Sequence, residues 1–498
     1  MRSIRISAVL ALVLAQGAFA QTAPSPARTA AQTITPEDVK ARIAYLASDA
    51  MRGRDTPSPG LDAAARYVAD QFASFGLKPA GDSGTFIQRW PYSARRLDVS
   101  KVSATLHGKS LNRALEFGKD FFALPSPAVD SLTGSIVFAG AASAESKATA
   151  GYGGKIVAFT VPGSELNEKW GDAVRPALIS AIGAGARGVV IILDSAFTAE
   201  TISSASSALA QSLVPIPVIG ISNQVARAWL AGDVDLSVPV TGPKEIATAT
   251  LQVRAGTSGV SGNPPNVVGI LEGSDPTLKD TYVIYSAHID HVGVGAPNAK
   301  GDSIYNGADD DASGTTGVIE VAQAFTSMKE RPKRSVIFLL VSGEEKGLFG
   351  SKYFTEHTPV PVDRIVADIN IDMIGRNNPD TTVAIGQEYS TLGPTTQAVV
   401  KAHPELHLIV APDLWPEEGL FFRSDHYNFA TKKIPAIFFT SGLHKDYHQP
   451  SDEPQFIDND KLARTARLVF WLGYDIANNA TAPAWTPAGL KAINQPGN

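Results

Sequence analysis

Three near-continuous apolar runs, Tyr282–Ser286, Val336–Val341 and Val366–Ile371, are each followed within a few residues by a histidine or a carboxylate. His288 and Asp290 come after the first, Glu344 and Glu345 after the second, and Asp372 directly after the third. A strand with no polar alternation must be covered on both faces, the usual state of parallel strands joined by helices. In open α/β sheets, functional groups collect just beyond the carboxyl ends of strands. Chance would rarely deliver acids and imidazole to one edge three times.

The flanking segments agree with an α/β reading. After Asn266, strands are expected at 282–287, 335–341, 365–371, 382–385 and 436–440, with helices at 315–328 and about 461–477. In the first of these helices Val318, Val321, Ala322, Phe325 and Met328 fall on one face. Further upstream, Thr35-Pro36-Glu37-Asp38 reads as a helix start, with a capping hydroxyl, proline at the first position and acids in the first turn. A second helix follows Gly60, presents Leu61, Ala64, Val68, Phe72 and Phe75 on one side, and stops at Gly76.

From about 120 to 250 the character changes. Short β-rich pieces alternate with Gly, Ala and Ser-rich connections, with a helix at 175–185 and few candidate catalytic groups. This is the pattern of an inserted small α/β domain. The expected organisation is a signal peptide at 1–20, a flexible polar lead at 21–33, the main domain at 34–119 and 251–479, the insertion at 120–250, and a tail at 480–498.

The leader reading rests on Arg2 and Arg5, an apolar stretch from Ile6 to Ala15, and Ala18-Phe19-Ala20 as a small-x-small cleavage site. That stretch is shorter than the roughly 20 residues needed to cross a bilayer. Cleavage would remove two arginines and no acid, taking the formal charge from −6 to −8. A mildly acidic chain without a basic cluster is a poor nucleic-acid binder. There are no cysteines, so export brings no disulfides and any metal must be held by nitrogen and oxygen. A short prokaryote-like leader without cysteine points to a periplasmic or secreted bacterial protein.

The chemistry-bearing residues lie between 288 and 448: Ala-His288-Ile-Asp290-His, Gly-Ala-Asp-Asp310-Asp-Ala-Ser-Gly, Gly-Glu344-Glu345, Asp372-Met-Ile-Gly-Arg and Tyr447-His448. Two imidazoles, three ligand carboxylates and a spare glutamate match the needs of a two-zinc hydrolytic site. The Asp309–Asp311 cluster could equally cap the helix that follows it. His291, His426 and His444 are given no ligand role, and His107, His357, His403 and His407 read as structural or exposed. Glycine-rich stretches such as Gly151-Tyr152-Gly153-Gly154 do not form a phosphate loop.

In these motifs, and in Ser424-Asp425-His426, the chain resembles the secreted dizinc aminopeptidase family over residues 266 to 475. That family's relatives include glutamate carboxypeptidase, glutaminyl cyclase and the transferrin receptor ectodomain. The resemblance implies a zinc-exopeptidase fold: a mostly parallel mixed sheet with helices on both faces. The inserted segment resembles the protease-associated domain of many members.

By that resemblance, Asp310 bridges two zinc ions, His288 and Asp372 complete one, and Glu345 and His448 complete the other. Cobalt or manganese are possible substitutes. Asp290 orients His288. Glu344 is the general base, and Tyr447 stabilises the tetrahedral oxyanion. The Asp310–Asp311 peptide bond is expected to be cis.

The implied activity is removal of N-terminal residues from peptides with a free N-terminus. The alternative on the same scaffold is a carboxypeptidase or dipeptidase, for which Arg376 and Arg423 lie close in sequence. A glutaminyl-cyclase-like transferase or a non-catalytic ectodomain fits the complete ligand set less well. Phe421, Phe422 and Trp415 are candidate apolar walls of a substrate pocket.

Overall fold

The computed structural model describes residues 25–494 apart from 125, 127–130, 144–149, 162–169, 194–213, 237–241, 296–297 and 299. The signal peptide expected at 1–20 lies outside the described residues. No described helix is long and apolar enough to cross a membrane.

Two sheets organise the chain. The first has nine strands in the order Lys78–Pro79, Pro265–Leu271, Ser335–Val341, Tyr282–His288, Ile365–Ile371, Ala436–Thr440, Thr381–Ile385 and Ile409–Ala411, with Ile87–Arg89 also pairing to Pro265–Leu271. The four central strands, 335–341, 282–288, 365–371 and 436–440, run parallel. Pro265–Leu271 and Thr381–Ile385 flank them antiparallel, which makes the sheet mixed. Parallel register brings the ends of Tyr282–His288 and Ser335–Val341 level, with His288 opposite Val341.

Both faces are covered. Helices Pro36–Leu46, Ala312–Ser327 and Asn459–Asn478 close one side, where Tyr285, Phe325, Phe338 and Phe470 share one buried cluster. Tyr285 stacks on Phe338 with ring centroids 5.7 Å apart, and its hydroxyl donates to the Val469 carbonyl at 3.2 Å. Only glycine fits at 473, since a Cβ there would sit 1.7 Å from the Tyr285 hydroxyl. Phe354 of Phe349–Glu356 and Phe429 of His426–Thr431 pack on the opposite face.

The second sheet runs Asn112–Leu115, Tyr92–His107, Lys244–Gly262, Leu132–Ala141, Ile156–Val161, Gly188–Leu193, Val218–Ser222, Phe121–Ala123. Its centre is parallel, and helix Trp170–Gly183 packs on it. It extends beyond the boundaries expected at 120 and 250, because Tyr92–His107 and Lys244–Gly262 form one long antiparallel ribbon. That ribbon begins as the connection out of the first sheet. Its polar, half-exposed residues gave no compositional break.

One further expectation is corrected. Part of the lead expected to be flexible at 21–33 is the helix Pro26–Ala31, capped by Ser25, with Ala27, Ala30 and Ala31 buried. Small side chains let a short helix lie close against Ala312–Ser327 and Asn459–Asn478, so a polar composition hid a packed face. The tail at 480–498 contains helix Pro487–Asn494, and Trp485 donates to the Lys433 carbonyl at 2.8 Å.

Candidate metal centre

The site lies at the carboxyl edge of the first sheet. His288 is the last residue of its strand, Asp372 follows Ile365–Ile371, and the Glu344–Glu345 turn follows Ser335–Val341. Asp310 precedes helix Ala312–Ser327, whose N-terminus is capped by the Asp311 side chain accepting the Gly314 N–H at 2.7 Å. The Asp310–Asp311 peptide bond is cis.

Asp310 turns its two oxygens to different partners. Oδ1 is 3.2 Å from His288 Nε2, and Oδ2 is 3.0 Å from His448 Nε2. On the first side, Asp372 Oδ1 is 3.6 Å from His288 Nε2. On the second, Glu345 Oε2 is 3.0 Å from His448 Nε2, and Glu345 Oε1 is 2.8 Å from His291 Nδ1. Two groups of potential ligands thus share Asp310: His288, Asp310 and Asp372, and His291, Asp310, Glu345 and His448, with the donor atoms of each within 4.8 Å of one another. Both His291 ring nitrogens and Asp310 Oδ2 are buried without a hydrogen bond among the described residues. Buried polar atoms normally find partners, so atoms converging in this way fit a cation held between them.

The electrostatics carry the same signature. Burial opposes a charge on His448, yet Glu345 and Asp310 outweigh it and push its pKa up to about 10. At His288, too, burial is outweighed, with Asp372 the leading opposing charge, and the pKa lies well above the imidazole range. So many buried carboxylates draw positive charge, which a divalent ion would supply directly. Burial holds the Glu344 carboxyl well above the usual carboxylate range; His288 opposes this, and Glu345, Asp425 and Asp372 add to it.

Asp290 is fully buried. The nearest acceptor for His288 Nδ1 is the Asp290 backbone carbonyl at 3.1 Å, with the carboxylate Oδ1 at 3.7 Å. Asp290 Oδ1 also accepts the Glu344 N–H at 3.3 Å. Asp372 is braced through Oδ2 by the Ser424 hydroxyl at 2.8 Å, and Asn370 Nδ2 donates to that hydroxyl at 2.8 Å. Tyr447 stacks on His448 with ring centroids 3.9 Å apart.

A pocket opens over the cluster, with His288, Asp310, Glu344 and Asp372 in its lining. Its apolar walls are Met373, Leu420, Phe438 and Leu443, and Arg423 and Tyr447 are also in the lining. Of the walls expected from sequence, Phe421 is instead core, edge-on to Tyr389 and Phe422. Neither Trp415, which packs against Gly442, nor Phe422 is among the pocket-lining residues. His426 is buried between Phe421 and Phe438. Arg376 faces Asp446 at 2.6 Å and Asp452 at 3.8 Å, and is not among the pocket-lining residues.

Several participants carry no expectation from sequence. His291 had a signal, since it stands three residues after His288 in one motif. Asp452 accepts the N–H groups of Asp309 and Asp310 at 3.0 and 3.1 Å, and Asp309 Oδ2 lies 3.2 Å from His444 Nε2. Nothing local marks those as second-layer partners.

Residues 266–472 match the model of the family described as Peptidase family M28. The match covers less than half of the chain. That segment holds every expected site residue, from His288 to His448. Among curated proteins the chain is similar to aminopeptidase YwaD of Bacillus subtilis strain 168, 25% identical over 322 residues covering 63% of this chain and 62% of that protein. It is also similar to aminopeptidase NAALADL1 of Rattus norvegicus, 38% identical over 116 residues, 22% of this chain and 14% of that one. The chain therefore spans about three fifths or less of the length of these relatives.

Among solved structures, an aminopeptidase from Aneurinibacillus sp. strain AM-1 superposes with a TM-score of 0.63 at 20% identity, covering 92% of this chain and 97% of that one. BSAP, a zinc aminopeptidase from Bacillus subtilis, gives 0.61 at 18% identity, covering 89% and 95%. Coverage of this extent includes the second sheet, so the two-sheet architecture around the M28 segment is shared.

Proposed function

We propose that this chain is an exported zinc aminopeptidase that binds two ions and removes N-terminal residues from peptides. The observation that carries the reading is Asp310, buried, with one carboxylate oxygen toward each of two ligand groups. His288 and Asp372 would complete one ion's set, and Glu345 and His448 the other's, with His291 adjoining the latter. Imidazole and carboxylate donors suit zinc, with cobalt or manganese as substitutes. Bound zinc would polarise the scissile carbonyl and acidify an attacking water.

The remaining chemistry belongs to the chain. Glu344, in the pocket lining and not in either ligand group, accepts the proton of the attacking water and returns it to the leaving amine. Burial raises its carboxyl above the usual carboxylate range, the direction expected of a group that must hold a proton between the two steps. The Tyr447 hydroxyl donates to the developing oxyanion. Asp290 keeps the His288 ring in orientation.

The acids in the pocket lining, Asp310, Glu344 and Asp372, favour a substrate amine over a terminal carboxylate. Arg423 is the one arginine among the described lining residues, and it faces Glu418 at 3.5 Å. A carboxypeptidase would need convergent arginines there, and Arg376 is engaged with Asp446. The apolar walls suit an apolar first residue. We read the second sheet as a protease-associated type of insertion without chemistry of its own, and the export assignment rests on the pattern at 1–20.

The test is hydrolysis of aminoacyl anilides beside N-blocked and C-terminal substrates, with and without chelator. Chelator-sensitive cleavage of free-amine substrates alone is expected. Release of C-terminal residues from N-blocked peptides would replace this reading with the carboxypeptidase one.

A further inference from the structure

Arg54 is 1% exposed, and its guanidinium is spent on backbone carbonyls. Nε donates to Ile289 O at 2.8 Å, one terminal nitrogen to Leu46 O and Asn306 O at 2.7 Å each, and the other to Gly307 O at 2.9 Å. Its own carbonyl accepts the His291 N–H at 3.3 Å. Three of the four acceptors lie on two stretches that carry candidate ligands. Ile289 sits between His288 and Asp290, and Asn306–Gly307 lead into Asp309–Asp311.

Two residues on, the Thr56 hydroxyl donates to Asp290 Oδ2 at 2.7 Å and accepts the Gly343 N–H at 3.2 Å. Thr56 is fully buried. The other Asp290 oxygen takes the Glu344 N–H. One hydroxyl therefore joins the carboxylate beside His288 to the turn that carries Glu344 and Glu345. Between the two residues, Asp55 pairs with Lys346 Nζ at 2.9 Å and with Arg96 of the ribbon.

The local chain is built for this approach. Gly53 has φ +65°, and a Cβ there would lie 2.3 Å from Gly293 O and 2.5 Å from Tyr305 O. Residues 54–56 can thus lie directly beneath the loops they bond. All three precede the M28 segment by some two hundred positions, so no motif reading reaches them. A brace for general stability could bond any loops; the backbone and side-chain groups gripped here lie mainly in the ligand and base segments.

We propose that Arg54 and Thr56 are positioning residues of the metal centre, Thr56 by fixing Asp290 between His288 and Glu344, and Arg54 by fixing the spacing of the His288 and Asp310 loops. This assignment rests on the two-ion reading above. Partners that orient a ligand commonly change metal affinity about 10–100-fold when removed.

The test uses the full chain loaded with zinc, with Thr56→Val, Thr56→Ser and Arg54→Lys, and reads each zinc dissociation constant by chelator competition beside kcat, KM and the thermal midpoint. Thr56→Val keeps shape and removes the hydroxyl. It should weaken one zinc by about 10–100-fold and lower kcat with KM unchanged, and Thr56→Ser should restore both. Arg54→Lys should weaken both zincs, since both loops lose their spacer. If Arg54→Lys does not fold, the Thr56 pair decides.

Wild-type zinc affinities and kcat in Thr56→Val would overturn the proposal. So would a fall in thermal midpoint with zinc affinity intact. A wild-type chain that takes up no zinc overturns both this assignment and the proposed function. Zinc uptake without peptidase activity removes only the latter.

Discussion

The backbone N–H of His288 donates to Asp311 Oδ2 at 3.1 Å, so the residue after the shared aspartate anchors the strand that presents the first imidazole. The other oxygen, Oδ1, accepts from Gly314 at 2.7 Å and from Met373 at 3.2 Å. Asp311 therefore receives three backbone donors, from the His288 strand, from its own helix and from the segment after Asp372. Capping and site assembly are one act here.

Asp311→Asn should be destabilising although it is nearly isosteric. An amide offers one acceptor oxygen and turns its NH2 toward at least one backbone donor. The expected cost is about 1–3 kcal/mol, the range for leaving a buried polar group unsatisfied. Urea denaturation of the zinc-loaded chain reads it. A midpoint equal to wild type would mean the three bonds are not made together.

Asp310→Ala should lose metal, because its two oxygens serve both ligand groups. Metal analysis after dialysis should find less than one zinc per chain under conditions where wild type holds two. Full occupancy in this variant would remove Asp310 from the bridging role.

Acetylating the substrate amine should abolish cleavage. In the proposed mode of binding, the free amine would pair with the acids lining the pocket and set the distance from chain terminus to scissile carbonyl. Matched peptides with free and acetylated N-termini, compared by mass spectrometry of products, decide this. Equal cleavage of the two would show that the amine is not recognised.

Much of this site was legible because the chemistry lies where strands end. Ser335–Val341 and Ile365–Ile371 have the bounds expected from their apolar runs, and the residues after them are those in the pocket. What escaped is held by sequence-distant contact. Thr56 reaches Asp290 across 234 positions, and neither residue signals the other. The Pro26–Ala31 helix escaped for a different reason: its buried face is alanine, which periodicity cannot tell from a polar linker. The ribbon Tyr92–His107 was misassigned because a half-exposed strand carries no apolar run.

His426 should impose an acid limit on stability. Burial between Phe421 and Phe438 pushes its pKa down to about 3, only partly opposed by the Phe421 backbone. In the unfolded chain the ring takes its proton near pH 6.5. Its folded value is lower, so the unfolded state binds the proton first. The contribution is fully present above about 6.5 and is lost as pH falls toward 3. Between pH 6.5 and 4.5 this amounts to roughly 2–3 kcal/mol at one pKa unit per 1.36 kcal/mol. His426→Phe should show a shallower fall in denaturation midpoint over that range. The same slope in variant and wild type would assign the acid limit elsewhere.

In the proposed mechanism Glu344 moves the proton while other residues hold the ions. Glu344→Gln keeps shape and hydrogen bonding but cannot accept a proton, and Glu344 belongs to neither ligand group. Zinc content and kcat measured on the same preparation test this directly. Two zincs per chain and a loss of turnover of about 10²–10⁴-fold, the usual span for a general base, are expected. A variant that has lost zinc would make Glu344 a ligand, and one that retains wild-type turnover would contradict its role as the base.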